Sequence, residues 1–116
     1  MTTKPAYAVA WINGLNVNDD IVEYLRRVDA TLAPFDGEFL IHGPDLVVAE
    51  GTAEGMLVVL RFPSTEAAQG WYASPAYQEI LPLRLNNIDR ARSFAILAEG
   101  VAPGYSASQK IAEFMS

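Results

Sequence analysis

Residues 56–62 read Met-Leu-Val-Val-Leu-Arg-Phe, seven positions with a single charge, and no other stretch narrows the possible folds so far. An extended segment points alternate side chains to opposite faces of its sheet, so a strand apolar on both sides must be covered on both sides. Residues 7–12 behave the same way, with Tyr7, Val9 and Trp11 alternating with Ala8, Ala10 and Ile12. Residues 93–98 do so again, with Phe94 and Ile96 set against Ser93, Ala95 and Leu97. A fourth extended segment is expected at residues 39–42, after the Asp36-Gly37 turn. Gly43-Pro44-Asp45 then interrupts, and Leu46-Val47-Val48-Ala49 resumes extended structure, as one bent or bulged strand or as two short ones.

Two helical segments separate these strands. Asn16 or Asn18 can cap the first, Asp19 and Asp20 sit favourably in its first turn, and Pro34 ends it. Its apolar stripe is Ile21, Leu25, Val28 and Leu32, and Glu23 and Arg27 form an i,i+4 pair on another side. Ser64 caps the second, which contains Trp71 and Tyr72. Ser74-Pro75 then opens a further helical piece with proline at its first position. Pro82 restarts or kinks the helix beyond it, up to about Asp89. The order is β-α-β-β-α-β, an α+β ferredoxin-like chain with an antiparallel sheet and its helices on one face. Helices on one face leave the other apolar face uncovered, and an isologous homodimer packing sheet on sheet is the expected cover. The competing reading folds the C-terminal segment back over that face.

The domain is expected over residues 1–100, with 101–116 as a C-terminal extension set off by Val101-Ala102-Pro103-Gly104. Ser106 and Gln109 fit a capping box there, and Ile111, Phe114 and Met115 make a short apolar stripe. A helix so short is marginal alone, so it should dock on its own subunit or on a partner.

With 8 basic and 14 acidic residues the 116-residue chain carries a net charge of −6. That charge offers no attraction to phosphate backbones or anionic lipid, so no nucleic-acid or membrane partner is expected. The absence of cysteine removes disulfides, thiolate nucleophiles and cysteine-ligated metals, and one histidine leaves little for a metal site; neither a metal nor a cofactor is expected. Phosphate-loop, dinucleotide, hydrolase-elbow and zinc-protease motifs are absent. Residues 1–12 show no signal-peptide pattern, and a cytoplasmic location is expected.

Few residues can carry chemistry. His42 is the only imidazole, a group that exchanges protons near neutral pH, and is read either as a general base or as a hydrogen-bonded structural residue. Glu50, between an apolar run and Gly51, is either a carboxylate aimed into a cleft or a solvated turn residue. Arg61 interrupts an apolar strand and needs a carboxylate or a ligand anion. Arg84 could present a fork to a substrate carboxylate. Trp71, Tyr72 and Tyr77 either wall an aromatic pocket or pack the core.

Glu50-Gly51, Phe62-Pro63-Ser64, Trp71-Tyr72 with Ser74-Pro75 and Tyr77, and then Arg84, in that order, resemble the bacterial family called domain of unknown function 1330. The resemblance covers roughly residues 6–100, and it implies a dimeric α+β barrel of two ferredoxin-like subunits. It implies no reaction. Asp36-Gly37 stands where that family usually has Gly-Gly, Glu38 where a basic residue often follows, His42 where arginine is common, and Pro44 where glycine is.

Two functions are expected in the main. In the first, the protein binds a small apolar or aromatic metabolite, with His42 and Glu50 as catalytic candidates for cofactor-independent chemistry and Trp71, Tyr72, Ser74, Tyr77 and Arg84 as substrate-binding candidates. In the second, it is a non-catalytic homodimeric binding or interaction module. Haem with His42 as axial ligand is a third, weaker option.

Overall fold

The computed structural model describes residues 4–116. Four strands, β1 (Ala6–Ile12), β2 (Glu38–His42), β3 (Met56–Phe62) and β4 (Phe94–Glu99), form one antiparallel sheet in the order β2-β3-β1-β4. The helices between them are α1 (Asp19–Leu32), α2 (Thr65–Ala73) and α3 (Pro75–Leu85), followed after β4 by α4 (Lys110–Met115). The two most apolar strands, β1 and β3, occupy the centre, where both ladders of backbone hydrogen bonds are satisfied.

Caps fix where the helices begin. The Asn18 side chain accepts from the Ile21 amide at 3.1 Å, and Ser64 accepts from the Ala67 amide at 3.1 Å. Ser74 works in both directions: its hydroxyl donates to the Trp71 carbonyl at 2.7 Å and accepts from the Tyr77 amide. It closes α2 and opens α3 in one residue, with Pro75 at a position where a missing N–H costs nothing. Pro82 lies inside α3, which runs through it to Leu85.

Register decides the two faces. Ala6 pairs with Phe62, Ala8 with Leu60 and Ala10 with Val58, and this set faces the helices. Val28 and Leu32 of α1, Trp71 of α2 and Tyr77, Ile80 and Leu81 of α3 close over it. The opposite face carries Tyr7, Val9 and Trp11 beside Val59, Phe94 and Ile96, with Arg61 opposite Glu38 near one edge. Phe94 and Ile96 remain about half exposed there.

Two expectations are corrected. Leu46, Val47, Val48 and Ala49 belong to no strand but to the loop of residues 43–55; Gly43, Gly51 and Gly55 turn the chain at positive φ, and the segment pairs with neither edge of the sheet. The Ser106–Gln109 capping box does not form, because the Ser106 hydroxyl bonds that of Ser108 instead. Of the two docking places expected for α4, its own subunit is not used: Ile111, Phe114 and Met115 stay exposed on the protomer. The ladder β2–β3 also slips by one residue between Phe39 and Ile41, a β-bulge at Leu40.

Candidate functional site

The small residues of β1 create the site. Ala8 and Ala10 stand where larger side chains would fill the space under the helices, and a cavity of about 450 Å³ opens between the sheet and the helix layer. Its floor includes Ala8, Ala10, Val58 and Leu60, and its roof Ile21, Tyr24 and Val28 of α1 with Trp71, Tyr77 and Arg84 of α2 and α3. This volume falls within the range of small-molecule sites, about 300–1,000 Å³. Hydrocarbon dominates the walls, and the polar groups are few.

Those groups cluster. The hydroxyls of Tyr24 and Tyr77 lie 2.8 Å apart, and Nη2 of Arg84 donates to the Tyr77 hydroxyl across a long 3.5 Å. The rings of Trp71, Tyr72 and Tyr77 form one aromatic group, with Trp71 and Tyr77 centroids 4.1 Å apart. The indole N–H of Trp71 donates away from the cavity, to Thr31 Oγ1 at 3.0 Å, leaving the ring itself as wall. Burial is the main cause that drives the Tyr24 phenol far above its ordinary value, with Tyr77 adding to the rise and Arg84 opposing it. Burial works to lower the value of Arg84, but the two tyrosines outweigh it and the net direction is upward. Arg84 therefore stays a cation.

The Tyr24 shift has a measurable consequence in alkali. A phenol whose folded value exceeds its unfolded one contributes stability that is complete below about pH 10 and is lost as pH rises toward the folded value. Above pH 10 the unfolded chain releases a proton that the folded one retains, and stability falls by up to about 1.4 kcal/mol per pH unit from this group. Urea unfolding at pH 9 and 11 should show a steeper loss for the wild type than for Tyr24→Phe; equal slopes would mean that Tyr24 is not held protonated.

The residues singled out from the sequence divide between the cavity and the surface. Trp71, Tyr72, Tyr77 and Arg84 all line the cavity, and His42 reaches it as well. The bulge at Leu40 brings His42 to the same face as Phe39, and the two rings stack with centroids 4.5 Å apart. Ser74 does not line the cavity; its hydroxyl is committed to the two helix ends it joins. Glu50 does not line it either, and sits exposed in a shallow hollow with Trp11, Leu46 and Val48. The separation is physical: Glu50 lies on the loop of residues 43–55, outside the sheet. Glu50 and Arg84 form no ion pair among the described residues. Tyr24 escaped the sequence reading, although Ile21, Tyr24 and Val28 at i, i+3 and i+7 share one helix face. Among the described residues no group of three His, Cys, Asp or Glu side chains could hold a metal ion, and no helix is long and apolar enough to cross a membrane.

Residues 5–100 match the family model described as Domain of unknown function (DUF1330). Among solved structures, a protein of unknown function from Rhodopseudomonas palustris has a TM-score of 0.64 at 14% identity, over 86% of this chain and 85% of that one. A dimeric ferredoxin-like protein of unknown function from Jannaschia sp. CCS1 has a TM-score of 0.64 at 17% identity, over 82% and 98%. A hypothetical protein from Arabidopsis thaliana has a TM-score of 0.55 at 17% identity, over 90% and 94%. At such identities the likeness establishes the ferredoxin-like fold alone. No curated protein matches the chain.

Proposed function

The chain belongs to the family described as Domain of unknown function (DUF1330), and from that premise we propose that it is a homodimer whose protomers each bind a small apolar or aromatic molecule between sheet and helices. The observation that carries this reading is the cavity: about 450 Å³, walled by hydrocarbon and aromatic rings, with polar atoms grouped at Tyr24, Tyr77 and Arg84. A core built only for stability would close such a space, since interiors pack to crystal density and voids are costly. Trp71, Tyr72 and Tyr77 are its walls, Arg84 its charged group, and His42 the one imidazole among the residues that line it.

Binding, more than turnover, is what this geometry supports. A proton-moving pair of His42 and Glu50 would need both groups at the ligand, and Glu50 is not among the lining residues. Self-association draws support from the apolar sheet face away from the helices and from the dimeric Jannaschia protein of the same fold. The exposed apolar residues of α4 add area for it.

The test uses 2-naphthol as probe and the fluorescence of Trp71, read in a Trp11→Phe background, as one signal, with calorimetry as the second. Ala10→Phe places a ring in the cavity without touching the polar cluster. The expected result is saturable binding by the wild type that Ala10→Phe reduces at least tenfold, with thermal unfolding unchanged or raised. Equal binding by both proteins would remove the cavity as the site.

A further inference from the structure

Arg84 is only 8% exposed, and among the described residues no carboxylate lies within ion-pair distance of it. A cation so enclosed is retained only when something compensates its lost hydration. The protein supplies little. A guanidinium has five N–H donors, and its side-chain partners among the described residues are the two phenols alone, with the contact from Nη2 to the Tyr77 hydroxyl at a long 3.5 Å. Every fully enclosed side-chain nitrogen and oxygen among the described residues has a hydrogen-bond partner. The guanidinium nitrogens without one are therefore accessible, and the space they meet is the cavity that Arg84 lines.

The rest of the lining says what the missing partner is. No Asp, Glu or Lys lines the cavity, so nothing there receives an ammonium group and no second fixed cation receives a dianion. The Tyr24 phenol is held protonated by burial and brings no counter-charge. Its hydroxyl and that of Tyr77, 2.8 Å apart, share two protons, of which only one can lie between the two oxygens. One proton therefore remains to donate elsewhere. A planar acceptor with one negative charge matches a guanidinium fork flanked by a hydroxyl donor. Resting on the reading of the cavity as a ligand site, we propose that the ligand is a monocarboxylic acid with an apolar body, its carboxylate held by Arg84 and the Tyr24–Tyr77 hydroxyls. The body lies along Ala8 and Ala10 under Trp71. The same chemistry disfavours amino acids and phosphate monoesters.

Two probes of one shape separate the charge from the fit: 2-naphthoate and the neutral 2-naphthamide, measured by calorimetry at pH 7.5 on the wild type, Arg84→Gln and Tyr24→Phe. The wild type is expected to bind the acid at least tenfold more tightly than the amide. Arg84→Gln should bring the two within about twofold, and Tyr24→Phe should weaken the acid severalfold while leaving the amide unchanged. If Arg84→Gln does not fold, the wild-type preference and Tyr24→Phe decide. Equal affinity of the wild type for both probes overturns the carboxylate ligand and leaves the cavity reading standing. Binding of neither probe, nor of 2-naphthol, overturns both.

Discussion

Phe62→Ala is expected to cost about 3–5 kcal/mol, the range for deleting an aromatic ring from a packed core, and so a large part of the total stability of a domain this size. Phe62 is fully buried at the end of β3, opposite Ala6 and with its ring centroid 5.3 Å from that of Trp71. Space around it is already used: a Cβ on Gly37 would come within 2.6 Å of its Cε1. Among the neighbours that would have to move into the gap, Ala6 is too small to fill it and Trp71 is tied to Thr31 by its indole N–H. Collapse is therefore poor and the cavity term stays large. Urea unfolding should show a lower midpoint at an unchanged slope; a loss under 1 kcal/mol would mean that the core does not centre on this ring.

Ile96→Glu should act on assembly and spare the fold. Ile96 is half exposed in the protomer, on the sheet face away from the helices and paired with Val9, so an isolated protomer has little to lose, about 0.5 kcal/mol. In a two-fold sheet-to-sheet dimer the substitution enters twice and buries two unpaired carboxylates in an apolar seam. Unpaired buried charge costs several kcal/mol, enough to dissociate the pair at micromolar concentration. Light scattering is expected to give twice 12.6 kDa for the wild type and 12.6 kDa for the variant, with the same circular dichroism. A variant that keeps the doubled mass would move the contact between copies off this face.

Much of this architecture was legible because it rests on local chemistry. Asn18, Ser64 and Ser74 cap their helices through side-chain oxygens, and those signals need no knowledge of the rest of the chain. The strands betrayed themselves by apolar residues at consecutive positions. Leu46 to Ala49 looked alike and became loop, because pairing depends on reaching a neighbour and this segment pairs with neither edge strand. Trp71, Tyr72, Tyr77 and Arg84 were singled out as residue types, but their convergence depends on how α2 and α3 sit over β1, which no short spacing encodes. Tyr24 was obscured by Leu25, which joins Ile21, Val28 and Leu32 in an equally good apolar stripe; the structure leaves Leu25 about half exposed.

The extra residue at Leu40 behaves like a frameshift within β2. Counted from the sequence, even positions 38, 40 and 42 share a face; after the bulge, His42 instead pairs with Val58 on the helix side, while Ile41 pairs with Val59 on the other. Position 42, although exposed at the sheet edge, thus faces the mouth of the cavity, and position 41 the surface proposed to meet a second copy. Exchanging the residues at 41 and 42 would conserve composition, length and charge, yet carry the only imidazole from the chamber to the seam. Where this protein keeps its one imidazole is decided by a single residue of slack in an edge strand.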